Sequence, residues 1–479
     1  MNRVLAIDQG TTATKSYILD AAGHFHFCSA LEHRQIYPHP GWVEHDPETL
    51  LGNIQNCIEA EKSIHAIGID NQGETVIAWD GASGLPIYNA IVWQDRRTTD
   101  FIDELKAEGA EHLTLERAGL PLDPYFAASK LRWILKNVPR AAKLLKKERL
   151  KLGTSDSFFI YRLTGEYATD VTTASRTSLM NLATCNWDPE LCELFEIPIE
   201  ILPQIRSTTA HFGFATSRGR QIPVTASVVD QQAALLGHGC YKAGRIKATF
   251  GTGVFALANV GEQIQSDHDS GILSTVAWQL ANHKPVYAVD AGVYNAGSAV
   301  NWVKNLGLFK DFSEIDDFAK PAAILRRLVF VPALSGLACP FWDRSAAGLW
   351  LGMSLETTKA DLIQAVLEGI ALRTAQLLQA ISRLVGEHDR LSVDGGLINN
   401  SYFCQFLADI TQCEIVVPAL TDITAYGAGR LALIGSGTVK DLSELPPAEK
   451  PSAIIMPRRD LTHLKELFAE AVNRSRKWR

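Results

Sequence analysis

The 479-residue sequence predicts an α/β fold with mixed sheets, arranged in two lobes of similar size. Two segments of the same strand–turn–strand form, residues 4–20 and 246–259, begin the two halves of the chain. Between and after them, short apolar runs that end in aspartate or glycine alternate with stretches of helical apolar spacing. We therefore expect an internal structural duplication, with a first domain over residues 1–242 and a second over residues 243–479.

The individual elements follow from local patterns. The predicted strands lie at residues 4–8, 15–20, 66–70, 224–230, 246–250, 254–259 and 391–394. A helix is predicted at residues 231–236, directly after an apolar strand, and a longer one at residues 360–385, where apolar side chains recur at helical spacing. Residues 241–245 are the predicted boundary between the lobes.

Composition and charge narrow the classes of function. With 46% hydrophobic and 21% charged residues, the chain is typical of a globular protein. Its net charge of −7 argues against bulk electrostatic binding to nucleic acid or anionic lipid. No apolar run approaches the roughly 20 residues of a membrane span, and the eight cysteines have no metal-binding spacing. We expect a cytoplasmic protein with neither a nucleic-acid nor a membrane partner.

The first predicted turn offers a place for phosphate. Backbone N–H groups can crowd together at Gly10, and the hydroxyls of Thr11 and Thr12 add hydrogen-bond donors. Lys15 would add a positive charge, and Asp8 would offer a carboxylate to a magnesium ion or to its water shell. An ordinary hairpin with an aspartate-capped turn explains the same residues, so the turn alone leaves both interpretations open.

Three further turns carry the same kind of ambiguity. Asp230 ends a strand and begins a helix, so its carboxylate is either the helix N-cap or a general base held at the strand end. Gly251 and Gly253 lie in the turn that repeats the first one. Asp394 is followed by two glycines, which suit either a tight turn or the close approach of a flat ligand such as adenine.

Taken together and in order, these features resemble the FGGY family of carbohydrate kinases, and within it the glycerol kinase branch. The resemblance covers nearly the whole chain. It rests on residues 36–47, 86–97, 174–177 and 230–235 and on two signature regions at 125–133 and 348–368. It implies two actin-like (ribonuclease H-like) lobes with mixed sheets flanked by helices, and an active site in the cleft between the lobes.

The resemblance also implies an ATP-dependent kinase that phosphorylates a hydroxyl of glycerol or of a related small polyol or sugar. Asp230 would be the catalytic base, and Asp8 would help to place Mg²⁺, directly or through water. The nucleotide would contact Thr11, Thr12, Lys15, Gly251, Thr252, Gly297, Asn301, Gly396 and Asn400. The substrate would contact Gly73, Glu74, Trp93, Tyr125, Asp230, Gln231 and Phe255. By analogy with the family we expect a homodimer or homotetramer.

The main departure from the family lies at Gly73. Glycerol kinases place an arginine at this position, beside Glu74, and a glycine supplies no hydrogen-bond donor. Losing a charged donor costs about 1.5–3 kcal/mol in binding. The sequence therefore predicts, as an alternative, that the glycine opens the pocket for a longer substrate. This would be a polyol or ketose of the erythritol, xylitol or xylulose type. The nearby Asp70 is either a new acceptor or a structural residue at the strand end.

Two other classes of function fit parts of the sequence. A non-kinase ATPase switch of the actin type would share the phosphate turns but would need no base for a sugar. A silent ligand-binding descendant would not need a base either, so the presence of Asp8, Thr11, Thr12, Asp230 and Thr252 argues against it. Considered alone, Trp93 and Phe255 suit core packing, and Glu74 suits a solvated loop. ATP turnover that occurs only with a polyol would separate the kinase from both alternatives.

Overall fold

The computed structural model describes residues 2–267, 271–447 and 449–479. The strands are β1 (Arg3–Gln9), β2 (Ala13–Asp20), β3 (Phe25–Glu32), β4 (Glu44–His45), β5 (Ala66–Asn71), β6 (Val76–Asp80), β7 (Ala90–Ile91), β8 (Leu150–Thr154), β9 (Ala168–Asp170), β10 (Met180–Asn181), β11 (Asn186–Trp187), β12 (Gln204–Arg206), β13 (Phe214–Ser217), β14 (Arg220–Val229), β15 (Ile246–Phe250), β16 (Val254–Gly261), β17 (Leu273–Trp278), β18 (Val286–Val293), β19 (Val329–Val331), β20 (Leu349–Leu351), β21 (Arg390–Asp394), β22 (Glu414–Val417) and β23 (Ala453–Ile455). The helices are α1 (Pro47–Ala60), α2 (Thr99–Ala107), α3 (Glu111–Ala118), α4 (Ala127–Asn137), α5 (Pro139–Leu145), α6 (Ser155–Thr164), α7 (Val171–Ala174), α8 (Pro189–Leu194), α9 (Asp230–Gly237), α10 (Gly297–Asn305), α11 (Lys359–Val385), α12 (Ser401–Thr411), α13 (Ile423–Gly435) and α14 (Leu464–Ser475).

Two large mixed sheets, one in each half of the chain, repeat the same topology. The first has the order β13–β14–β5–β1–β2–β3, and the second has the order β17–β18–β16–β15–β21–β22–β23. Each contains an antiparallel meander, β1–β2–β3 or β15–β16–β18, that two parallel strands extend. Those strands are β5 and β14 in the first sheet and β21 and β22 in the second. The repeat confirms the predicted α/β class with mixed sheets.

The central strand β1 is buried on both faces because alternate side chains meet different helices. Leu5 and Ile7 belong to a core cluster with Leu50 of α1. Val4, on the other face, belongs to a cluster with Leu431 of α13. Burial on both faces explains why the strand reads as a continuous apolar run rather than as an alternating one.

Helix α13 comes from the second half of the chain but packs on the first sheet, against β1, β5 and β14, and crosses α9. The crossing is very close. A Cβ atom at Gly427 would lie 1.9 Å from the backbone oxygen of Ala233, and one at Gly237 would lie 2.2 Å from that of Ile423. Only glycine permits this approach of two backbones. The domain boundary after residue 242 stays a prediction, and α13 packs across it.

Helix α11 forms much of the core of the second lobe. A capping box begins it: Thr358 accepts from the N–H of Asp361, and the Asp361 carboxylate accepts from the N–H of Thr358. Most of its 27 residues are buried, including Glu368 and Arg373. In the part of the chain that the structure describes, neither this helix nor any other is long and apolar enough to cross a bilayer.

Candidate active site

The candidate site lies at the carboxyl ends of three neighbouring strands of the first sheet. Asp8 lies near the end of β1, Asp70 lies near the end of β5, and Asp230 directly follows β14. Asp8 and Asp70 are register partners in the parallel pair. Because parallel strands end at the same edge, the three carboxyl groups come close together beside the crevice where α/β sheets bind ligands.

Burial raises the pKa of all three carboxyl groups and is the largest cause in each case. The negative charges of Asp8 and Asp230 add to the effect of burial on the pKa of Asp70. Neither carboxyl oxygen of Asp70 has a hydrogen-bond partner within the described ranges of the chain. Among the described residues, no three His, Cys, Asp or Glu side chains converge to enclose a metal by themselves. The Asp8–Asp70 pair fits Mg²⁺, which takes one or two carboxylates and completes its shell with water and phosphate oxygens.

Asp230 is the first residue of α9 and is partly exposed as a residue. The N-cap position belongs to Val229, and no side chain caps this helix, so the N-cap interpretation of Asp230 is wrong. Its Oδ1 accepts a hydrogen bond of 2.6 Å from the N–H of Gln231. Burial, followed by the negative charge of Glu74, raises the pKa of Asp230 to about 7. A carboxyl group with this pKa is well matched to accept a proton near neutral pH.

The first phosphate turn is held in place from behind. The backbone N–H of His33 donates to the carbonyl oxygen of Thr12 at 3.1 Å, and Nε2 of the same ring lies 3.1 Å from the carbonyl oxygen of Thr11. Trp93 Nε1 donates to the Thr11 hydroxyl at 3.1 Å. Thr12 remains exposed. The turn is therefore rigid while one hydroxyl and the neighbouring backbone stay accessible.

Lys15 is already paired within the protein. Its Nζ lies 2.5 Å from Oδ1 of Asp422, the residue that precedes α13. Burial opposes the charge of each partner, but their contact raises the pKa of Lys15 and lowers that of Asp422. A phosphate group would have to compete with Asp422 for this cation.

The predicted polyol-binding residues Glu74, Trp93 and Tyr125 lie in one cluster together with Arg176. The rings of Trp93 and Tyr125 meet edge to face, with their centroids 5.7 Å apart. Glu74 Oε1 accepts a 2.7 Å hydrogen bond from Arg176 Nε, and Arg176 Cζ lies 5.8 Å from the centre of the Tyr125 ring. Burial, then the charge of Glu74, raises the pKa of Tyr125 well above its usual range, so the phenol stays neutral. Polar groups between aromatic walls suit a small polyhydroxylated ligand.

A buried lysine fixes the segment that carries Tyr125. Lys130 Nζ donates to the carbonyl oxygens of Pro124, Tyr125 and Phe126 at 2.8, 2.6 and 2.8 Å. Burial lowers the pKa of Lys130 to about 7. Its three hydrogen bonds hold the chain just before α4 and so position the Tyr125 ring.

Gly73 does not open the pocket at its own position. A Cβ atom there would lie 2.7 Å from Cγ2 and 3.0 Å from Cγ1 of Val229. The expectation of free space beside the glycine is therefore wrong, because Val229 fills it. The predicted contact of Gly73 with the substrate stays a prediction.

Two further predicted substrate residues lie beside the second lobe. The buried Lys247 donates through Nζ to Gln231 Oε1 at 2.5 Å and to Thr249 Oγ1 at 3.1 Å. These bonds orient the Gln231 amide, and burial lowers the pKa of Lys247. Phe255, opposite Thr249 in the β15–β16 pair, is 36% exposed, so it is not simply a core residue.

The second phosphate turn, between β15 and β16, packs on the start of α10. The N–H of Gly297 donates to the carbonyl oxygen of Gly251 at 2.9 Å. A Cβ atom at Gly297 would lie 2.5 Å from that oxygen, so the contact requires glycine. Thr252 in the turn and Asn301 on α10 are both exposed.

The loop after β21 contains two glycines with different surroundings. Gly395 has a φ of 99°, and a Cβ atom there would lie 2.4 Å from the backbone oxygen of Phe250, whereas Gly396 faces open space. The open space at Gly396 leaves room for a flat ligand. The Asn400 side chain accepts the N–H of Phe403 at 2.7 Å as the N-cap of α12. The contact of Asn400 with adenosine stays a prediction, and its carboxamide oxygen is already used to cap α12.

Sequence reasoning assigned no role to Arg176, Asp290, Lys130 or Lys247. Arg176 and Lys130 lie in segments that carry the family resemblance, but no local pattern says what they contact. Asp290 and Lys247 lie within the apolar strands β18 and β15. A charged residue inside an otherwise apolar strand is the sequence signal that could identify Asp290 and Lys247. Such a residue is rarely buried without a partner.

Comparison with known proteins identifies the family of the chain. Residues 3–237 match the N-terminal domain, and residues 246–436 match the C-terminal domain, of the FGGY family of carbohydrate kinases. The chain belongs to this family. A glycerol kinase of Bdellovibrio bacteriovorus is 41% identical over 92% of each chain, and one of Thermococcus onnurineus is 39% identical over 99% of this chain and 98% of its own. The crystal structure of Plasmodium falciparum glycerol kinase with ADP aligns with a TM-score of 0.90 at 32% identity, over 99% of this chain and 98% of that one.

Membership in the FGGY family confirms the resemblance and the two-lobed actin-like fold. This FGGY kinase is a phosphotransferase that acts on an alcohol group. Neither a non-kinase ATPase switch nor a silent binding protein is favoured by these matches. The domain boundary and the roles of the individual site residues stay predictions.

Proposed function

We propose that this FGGY kinase transfers the γ-phosphoryl group of ATP to a hydroxyl of glycerol or of a closely related small polyol. The observation that supports this most directly is Asp230, a carboxyl group with a pKa of about 7 at the strand edge. The negative charges of Glu74, on the proposed polyol side, and of Asp8, on the proposed phosphate side, both raise the pKa of Asp230. Because the relatives named above are glycerol kinases, we propose glycerol rather than a longer alcohol as the substrate.

The polyol would lie between aromatic walls and polar side chains. Glu74 would accept a hydrogen bond from one hydroxyl, and the neutral Tyr125 phenol can both donate and accept. Trp93 and Phe255 would pack on the carbon backbone, and the amide of Gln231 would add a further polar contact. Such a pocket selects small molecules with adjacent hydroxyl groups.

Asp230 would accept the proton of the attacking hydroxyl, or orient that hydroxyl, during in-line transfer. Thr11, Thr12 and the turn at residues 251–253 would hold the phosphates from the two lobes. Mg²⁺, held by Asp8 with its neighbouring carboxyl group, would neutralise phosphate charge. Positioning and charge neutralisation supply most of the catalysis, and closure of the lobes would keep water from the γ-phosphate.

A coupled ADP-release assay tests the proposal. Magnesium ATP is offered with glycerol, erythritol, threitol, xylitol, ribitol, dihydroxyacetone, erythrulose or xylulose, or with no alcohol. We expect glycerol or a close relative to stimulate ADP release. Asp230→Asn should lower kcat by about 10²- to 10⁴-fold, the usual contribution of general base catalysis. Asp80→Asn is the matched control, because Asp80 is ion-paired with Arg149 away from the site.

The assay also decides among the alternatives. ADP release at one rate with every alcohol and with none would contradict the kinase and favour an ATPase switch. A highest kcat/KM with erythritol, xylitol or xylulose would contradict glycerol as the substrate but not the phosphoryl transfer. Equal losses in Asp230→Asn and Asp80→Asn would contradict the role of Asp230.

A further inference from the structure

Arg176 joins the two lobes inside the proposed polyol pocket. It lies shortly after α7, and its Nε donates to Glu74 Oε1 at 2.7 Å. Its Nη2 lies 3.1 Å from Oδ2 of Asp290, on β18 of the second sheet. The Arg176 side chain is only 4% exposed. Burial opposes its charge, but the carboxylates of Glu74 and Asp290 outweigh burial and raise the pKa of Arg176 above its ordinary range.

The other terminal nitrogen of Arg176, Nη1, is buried and has no hydrogen-bond partner among the residues that the structure describes. A guanidinium group in the interior that leaves a donor unmet loses solvation without compensation. Two residues of the proposed polyol pocket lie beside it: Glu74 is bonded to the same guanidinium, and the ring of Tyr125 lies 5.8 Å from its Cζ. The ring of the buried Phe126, 5.4 Å from Cζ, packs on it as well. A hydroxyl oxygen of a bound alcohol would supply the missing acceptor.

We propose that Arg176 binds the substrate directly, with Nη1 donating to a hydroxyl of the polyol while Nε and Nη2 remain on Glu74 and Asp290. Arg176 is then a specificity-determining residue and more than a structural ion pair. The inference rests on the proposed function, since it names a substrate contact of the same site.

The surroundings of Arg176 hold it in place for this role. Asp170 caps α7 by accepting the N–H groups of Thr172 and Thr173 at 2.9 and 2.8 Å. The hydroxyl of Ser175 lies 2.9 Å from that of Thr275 on β17, which ties this end of α7 to the second lobe. A donor that is fixed before the substrate arrives loses little entropy on binding.

The proposal also bears on the glycine at position 73. This residue, directly before Glu74, supplies no side-chain donor, and Val229 occupies the space beside it. Arg176 already contacts Glu74 and brings a charged donor to the same carboxylate from a different part of the chain. A pocket built in this way can grip hydroxyl groups without a side chain at position 73.

The test is a cycle of one variant and three alcohols. We measure kcat/KM of the full chain and of Arg176→Lys with glycerol, 1,2-propanediol and 1,3-propanediol, each diol lacking one hydroxyl. Lysine keeps the charge but lacks the planar fork that serves several partners at once. Arg176→Lys should lower kcat/KM for glycerol by about 10- to 100-fold, mainly through KM. For the diol that lacks the contacted hydroxyl, the loss should stay below about 3-fold.

Arg97→Lys is the matched control. Arg97 is also buried, and its Nη2 lies 2.7 Å from Glu44 and 2.8 Å from Asp95, outside the pocket. This variant should lose thermal stability without changing the preference among the three alcohols. Asp290→Asn keeps the size of the side chain but removes one carboxylate partner of Arg176. It should raise the KM for glycerol several-fold and leave the KM for ATP unchanged.

The outcomes separate the two proposals. Equal losses for glycerol and both diols, or an unchanged KM for glycerol in Arg176→Lys, would overturn the substrate contact of Arg176 and leave the kinase activity standing. A wild-type chain that phosphorylates no alcohol would overturn the proposed function instead. In that case, titration calorimetry would compare the affinity of the wild-type chain and of Arg176→Lys for glycerol. A similar affinity for both would contradict the contact between Arg176 and the alcohol.

Discussion

Val229 packs against Gly73, so that a Cβ atom at position 73 would lie 2.7 Å from Cγ2 of Val229. Gly73 directly precedes Glu74, and Val229 directly precedes Asp230. The contact therefore joins the turn that carries the proposed substrate carboxylate to the strand end that carries the proposed base. A side chain at position 73 must displace Val229, so the two positions are expected to change together.

Gly73→Arg alone should lower the free energy of unfolding by about 1–3 kcal/mol, because overpacking forces the neighbours to move. Val229→Gly in the same chain should recover part of that stability and lower the KM for glycerol below that of Gly73→Arg. Thermal denaturation and steady-state kinetics of both single variants and the double variant check this. Strictly additive effects would show that the two positions do not interact.

The pH dependence of kcat/KM should follow Asp230. Its pKa is raised to about 7, so the protonated, inactive form persists up to neutrality and activity should rise with pH through about 7. Glu74→Gln removes a neighbouring negative charge, which should move this rise to lower pH. Rates measured from about pH 5 to 9 at saturating ATP test the shift. A profile that is flat from acid to neutral pH would count against Asp230 as the base.

The Lys15–Asp422 pair should modulate ATP binding. Asp422→Asn frees Lys15 and removes a negative charge near the phosphate turn, so the KM for ATP should fall a few-fold. Lys15→Met should raise it. Both effects should weaken as salt is added, because the pair is partly exposed. Stability should change by less than about 1 kcal/mol, as is usual for such pairs. An unchanged KM for ATP in both variants would show that Lys15 only links β2 to the start of α13.

Gly297→Ala and Gly396→Ala form a matched pair on the nucleotide side. A Cβ atom at Gly297 would lie 2.5 Å from the carbonyl oxygen of Gly251, so this variant should displace the second phosphate turn. Its KM for ATP should rise roughly 10-fold or more, since a small misplacement is costly in catalysis. Gly396 faces open space, so alanine there should leave the melting temperature unchanged and raise only the KM for ATP. If neither variant changes this KM, the nucleotide does not contact these turns.

Elements with a local signal were predicted well from the sequence. Strand β15 has the predicted bounds, and α11 begins one residue before the prediction and ends where it was expected. Apolar periodicity and strand-ending turns are properties of neighbouring residues, so the linear chain displays them. The role of Asp230 was different. The linear sequence allowed a cap or a base, and only the position of Val229 at the N-cap excluded the first.

The family and the two-lobed α/β class were accessible from the linear chain, as was the repeated strand–turn–strand form, because motif order and spacing are properties of neighbouring residues. Which side chains meet depends on how the chain folds in three dimensions. Lys15 and Asp422 are 407 positions apart, and Arg176 reaches Glu74 and Asp290 in different lobes. Burial removes water from the charge of Asp230 and raises its pKa, whereas the carboxylates of Glu74 and Asp290 raise the pKa of the buried Arg176. Such distances and solvent exclusion arise from packing, which no local pattern encodes.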